Sequence, residues 1–173
     1  DSLSTPHPHA HERGNARIFY WFGNSSAGQL SIDYGRPPWS SRYAGFLKPQ
    51  QTQRWRFGEN FWTSLDTNIP ISIGDVELDI GQHYLVLETG PDDGPRLVAL
   101  DPDEVRRRRL DSYEAQKTLS FGTAIPMQHH DSESTASRLQ IDLTVDRSER
   151  HRATLDIRFG PHRLTAPLIM KID

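Results

Sequence analysis

The chain has 173 residues, with 20 basic and 23 acidic side chains for a net charge of −3, which is enough length for one domain with its own core. That balance, with a pI near 6.2, argues against a general binder of nucleic acid or of anionic membranes, and no apolar run is long enough for membrane insertion. The absence of cysteine removes disulfides, thiolate metal sites and a cysteine nucleophile, and a hydrophobic content of 35% calls for a thin core, as between two sheets.

In chain order, residues 1–15 are rich in Pro, His, Ser and Gly and lack periodicity, so they read as a mobile tail ahead of a single domain over 16–173. His7, His9 and His11 fall at alternate positions and share one side of an extended chain, a weak grip at most for Cu(II) or Zn(II). Pro6 and Pro8 hold no closed geometry there, so no resident metal is assigned, and no motif in the chain implies a cofactor. Residues 17–23 and 28–35 form the first candidate hairpin: Ile18, Tyr20 and Phe22 alternate, as do Leu30, Ile32 and Tyr34, with turn residues from Asn24 to Gly28. Residues 65–73 alternate again, with Pro70 marking an edge or a bulge. Gly74-Asp75 turns the chain into Val76, Leu78 and Ile80, Gly81 turns it into a strand over 83–89, and Gly90 to Gly94 turns it into 96–100.

One helix is expected over 102–116. Asp101 suits the N-cap, Pro102 the first helical position and Glu104 the capping box. Its apolar content is only Val105, Leu110 and Tyr113, which places it on the surface. The four arginines at 106–109 point all round such a helix among acidic neighbours, so they read as a solvated face and not as a phosphate site. Three period-two segments then follow, through Leu139 to Val145, Ala153 to Phe159 and Leu164 to Ile172, and predict a three-stranded meander. Eight or nine strands with one short surface helix make an all-β fold, an antiparallel β-sandwich.

The stretch that does not alternate is residues 31–63, which holds three of the four tryptophans, four arginines and three prolines. Loops of that make-up on a rigid scaffold are where binding groups usually sit. Tyr34-Gly35-Arg36-Pro37, then Arg42, then Trp55-Arg56-x-Gly58-x-Asn60-x-x-Thr63 resembles the signature of the domain of unknown function 2911 family, a group of bacterial, mostly exported proteins with no assigned activity. The resemblance covers about residues 29–100 and continues more weakly through Gly81 and Tyr84. The chain departs from the family at Ser40-Ser41, where the family usually has Lys-Gly, and at Phe61, where the family carries a glutamate. The resemblance implies a secreted or periplasmic protein, and an opening at Asp1 in place of Met fits a removed export signal.

Familiar reaction centres are missing from the sequence. There is no G-x-S-x-G, no H-E-x-x-H and no glycine-rich phosphate loop. His129-His130-Asp131 lies in a polar stretch and reads as plain loop, because adjacent imidazoles seldom reach one ion; His83 reads as a structural strand residue. What remains is the arginine and tryptophan set. Tyr34, Arg36, Arg42, Trp55, Arg56, Asn60 and Thr63 are expected to gather at one end of the sandwich as a site for a small acidic or sugar-like ligand, or for a protein partner. The same residues also fit a structural lock, with the arginines paired to Glu59, Asp66 or Asp33. A hydrolase or lyase using Glu59, Asp33 or His83 beside the arginines is the alternative class.

Overall fold

The computed structural model describes residues 12–21 and 27–172. The chain opens with β1 (Arg13–Trp21) and β2 (Ala27–Gly35), the expected hairpin, in a register that puts Ala16 opposite Ile32 and Ile18 opposite Leu30. Strand β1 begins earlier than the sequence indicates. Arg13, Gly14 and Asn15, read as the end of the tail, pair with Gly35, Tyr34 and Asp33, and Arg13 Nε donates to Asp33 Oδ1 at 2.9 Å. Their missing apolar periodicity concealed a strand end held by backbone pairing and an ion pair. The tail up to residue 11, with its three histidines, and residues 22–26, which cover the end of the first expected strand and most of its turn, lie outside the described residues.

The next strands are β3 (Gln53–Trp55), β4 (Thr63–Thr67), β5 (Ile71–Ile73), β6 (Val76–Leu78), β7 (Gly81–Thr89) and β8 (Arg96–Leu100). After α1 (Pro102–Arg107) come β9 (Thr123–Pro126), β10 (Gln128–Val145) and β11 (Arg152–Met170). One sheet runs β1-β2-β4-β7-β8-β9, with β3 pairing the far end of β7; the other runs β10-β11-β5-β6. All pairings are antiparallel. The main core takes Leu30, Ile32, Leu65, Leu85 and Leu97 from the first sheet and Ile71, Ile73, Leu155 and Leu168 from the second, all fully or almost fully buried. The described residues therefore form an all-β sandwich with one short helix.

One segment that alternates without a break in the sequence is divided by the fold, and two others are joined. Residues 65–73 read as one strand, but the chain leaves the first sheet after Thr67 and enters the second at Ile71. Pro70 has no N–H for a ladder, and the Thr67 hydroxyl serves the corner by donating to the Ile69 carbonyl at 2.6 Å and accepting from the Ile69 N–H at 3.2 Å. The reverse happens near the end. The two segments through Phe159 and Leu164 are one 19-residue strand, β11, and no turn divides them. Gly160 takes a left-handed φ of 59°, bending the strand while β10 bulges against it, with register shifts between Asp131 and Ala136 and again before Gln140.

The helix is also shorter than expected. Asp101 caps it through its side chain on the Asp103 N–H at 2.8 Å, as the sequence indicates. Arg109 then takes a left-handed φ of 55° and the Leu110 N–H closes onto the Val105 carbonyl, ending the helix. A second cap at Asp111, with Glu114 completing a capping box, starts a separate 3-10 segment, Ser112–Thr118. Helix and segment together cover the outer face of the first sheet, where Val105 and Ala115 pack with Trp62, Tyr84, Val86, Val98 and Leu100. Strand β7 is consequently buried on both faces from Tyr84 to Thr89.

Candidate functional site

The seven residues expected to form one site divide into two buried ties, an exposed turn residue, a tryptophan in a cavity wall and three separately engaged arginines. Tyr34 is turned into the core, and its hydroxyl accepts from the Ile141 N–H at 2.9 Å, linking β2 of one sheet to β10 of the other. Thr63 is fully buried with its hydroxyl on the Phe57 carbonyl. Asn60 holds a left-handed φ of 70° in the turn between them, a conformation that asparagine tolerates better than most residues. Tyr34 and Thr63 tie the loop to the core, and Asn60 supplies the backbone conformation of its turn. Removing the Tyr34 hydroxyl leaves a buried amide without its acceptor, so Tyr34→Phe is expected to lower unfolding free energy by about 1–3 kcal/mol in urea titration.

The arginines do not share partners. Arg36 pairs with Glu12 and donates from Nε to the Leu139 carbonyl at 3.3 Å. Arg42 lies on a 3-10 turn, Ser41–Tyr43, with its guanidinium 4.7 Å from the centre of the Tyr43 ring and an Nη2 contact of 2.6 Å to the Tyr43 hydroxyl. Arg56 places its guanidinium 4.3 Å from the Tyr113 ring centre, in the 3-10 segment on the outer face of the sheet, and its Nη1 is buried without a hydrogen-bond partner among the described residues. Arg54, its neighbour by two, reaches the same segment: Nε donates to Glu88 at 2.7 Å and Nη1 to the carbonyls of Thr118 and Phe121. The expected cluster of Arg36, Arg42 and Arg56 is not formed. Strand alternation sends Arg54 outward while Trp55, opposite Leu87, faces in, and Arg56, just past the end of β3, also borders a cavity beneath the loop.

What the loop does form is a roof. Beneath it, at one end of the sandwich, lies a cavity of ≈ 220 Å³. The loop contributes Pro37, Tyr43, Phe46, Trp55 and Phe57; the two sheets contribute Leu87, Leu139, Ile157 and Phe159, with His162 beside them. Trp55 is fixed by donating from Nε1 to the Thr89 hydroxyl at 2.9 Å, and that hydroxyl donates on to the Phe46 carbonyl at 2.9 Å. Trp39 packs edge-on against Phe159, with ring centres 5.0 Å apart, and against His162 at 5.7 Å. Tyr43, Phe46, Phe159 and His162 were not picked out in the sequence as site residues. Their only signal was the Gly160-Pro161 pair interrupting an alternating segment, which reads as a turn until the strand is seen to continue through it.

At the same end, residues 129–131 belong to strand β10, not to a loop. His130 faces away and bonds Thr165 Oγ1 at 2.9 Å. His129 and Asp131 share the other face, and Asp131 lies opposite His162 in the ladder. His129 Nε2 is 3.3 Å from His162 Nδ1. Partial burial of His162, then the neighbouring His129, hold its pKa below the usual histidine value, while Asp131 acts in the opposite sense. His83, the base considered for a hydrolase or lyase, is elsewhere: it is half-buried near the start of β7 with Nε2 on the Asp79 carbonyl at 2.8 Å. Asp33 is held by Arg13.

Comparison of the chain with family models, with curated proteins and with solved structures finds no match in any of the three.

Proposed function

We propose that the protein binds a small ligand built on one ring, with an acidic or polar group at its edge, in the cavity beneath the 36–62 loop. The observation that carries this reading is the cavity itself, an apolar space of ≈ 220 Å³ walled by rings from Tyr43, Phe46, Trp55, Phe57 and Phe159. A dry cavity of about 150 Å³ takes one benzene ring, while drug-sized ligands need roughly 300–1,000 Å³, so the fit is to a single substituted ring. A sugar is a poorer fit to these walls. Each hydroxyl buried without a partner costs about 1–3 kcal/mol, and this lining offers few polar atoms. Arg56 borders the cavity with a buried Nη1 that has no hydrogen-bond partner among the described residues, and Arg42 holds a cation beside the Tyr43 hydroxyl, which together favour an acidic group on the ligand.

The test is a thermal-shift series with benzoate, phenylacetate, indole and glucose. A ligand at ten times its Kd stabilises by about 1.4 kcal/mol, or roughly 3–6 °C in Tm for a chain of this size. The ring acids are expected to give such a shift and glucose none. Ile157→Phe, which adds a ring to the cavity wall, is expected to keep the fold and abolish the shift. If no ring compound at millimolar concentration moves the Tm of the wild type, the reading fails.

A further inference from the structure

We infer that His129, Asp131 and His162 form a binding site for one divalent transition-metal ion at the mouth of the cavity. The three offer two imidazole nitrogens and a carboxylate oxygen, all within 4.8 Å of one another. Their placement follows from the ladder. His129 and Asp131 are two apart on β10 and therefore project to one face; His162 on β11 is directly opposite Asp131 and diagonal to His129. The 3.3 Å between His129 Nε2 and His162 Nδ1 has a simple meaning. Two nitrogens each about 2.05 Å from a zinc-sized ion, at a tetrahedral angle, lie about 3.3 Å apart. A hydrogen bond between the two rings is the competing account of that spacing, and it makes no use of Asp131.

The ligand types set the class of ion. Two imidazoles and one carboxylate suit zinc, copper, nickel or ferrous iron, and a hard cation such as calcium would want more oxygens. Three protein ligands leave at least one coordination position open, the arrangement of sites that bind or activate a small molecule and not of closed structural sites. His162 is shared between this cluster and the cavity wall, so an ion held here would stand at the cavity entrance. The rings of Trp39 and Phe46, centred 5.7 Å and 5.4 Å from that of His162, fix its imidazole from behind. His129 and Asp131 are exposed, so an ion can enter from solvent.

The experiment is a calorimetric titration of the full chain with zinc chloride, with no organic ligand present, so its result does not depend on what the cavity binds. Cobalt(II) serves as an optical stand-in through its visible absorption. The tail histidines are a second source of imidazole, so the parent protein carries His7→Ala, His9→Ala and His11→Ala. One ion per chain is expected in that background. His129→Gln and Asp131→Asn, both exposed positions, should leave the Tm of the metal-free protein unchanged. Each should weaken zinc by more than the roughly 10–100-fold typical of losing an outer-shell partner. The inference is overturned if the parent binds no ion, or if Asp131→Asn binds as tightly as the parent, the result a mere hydrogen bond between the rings predicts.

Discussion

Arg54→Ala is expected to lower the unfolding free energy by about 3–5 kcal/mol, read from the urea midpoint at constant m-value. Arg54 and Glu88 are 8% and 7% exposed, and their charged ends meet at 2.7 Å between β3 and β7. The same guanidinium donates to the carbonyls of Thr118 and Phe121, at the end of the 3-10 segment and just beyond it. One side chain therefore joins two strands to the layer that covers their outer face. Truncating it strands a buried carboxylate, which keeps only Arg96 at 2.7 Å, and leaves the two carbonyls short of a donor. A lysine cannot replace it, because a single ammonium group does not span the fork geometry of these acceptors, and Arg54→Lys should recover less than half of the loss. Arg54→Met/Glu88→Met, which removes both charges together, should be milder than Arg54→Ala alone. A loss below about 1 kcal/mol for Arg54→Ala would mean that the outer layer is held by its apolar contacts alone.

Gly160→Ala is expected to cost about 2–4 kcal/mol and to disturb the cavity as well. Two effects combine. The residue has a φ of 59°, where a side chain strains the backbone, and a Cβ there would fall inside the Trp39 indole. Neither can relax easily, because the Trp39 backbone N–H donates to the Ser137 carbonyl and the indole ring contacts Phe159, Phe46 and His162. Pushing the indole away would shift both the loop roof and the imidazole of the candidate metal site. The measurable signature is a lower denaturation midpoint together with a change in near-UV circular dichroism, while the far-UV spectrum stays that of a β protein. An unchanged near-UV spectrum and midpoint would show that the methyl group is accommodated without moving the Trp39 ring, against the expectation. Gly74, also at positive φ, has no neighbour in the way of a Cβ, so Gly74→Ala should show the backbone strain without the packing effect.

The sequence by itself determined the class of fold, because local alternation fixes which side of each strand is apolar. Leu30 and Ile32, Leu97 and Ala99, and Leu164, Ala166 and Leu168 all lie inward as their spacing requires. It also determined the short-range features that neighbouring residues decide among themselves: the Gly74-Asp75 turn between paired Ile73 and Val76, and the cap at Asp101. Partner choice between distant residues was decided only by the tertiary structure. Arg54 meets Glu88 across 34 positions, and Arg36 takes Glu12 and not an acid of its own loop. Period-two patterning says which face a side chain is on, but strand register says what it meets, and register depends on bulges and crossings. The crossing at Pro70 sent β5 into the second sheet, and the bend at Gly160 brought His162 up to His129 and Asp131. A charged or polar group gains from whichever partner lies within a few ångströms, so the site became visible only when the sheets were assembled.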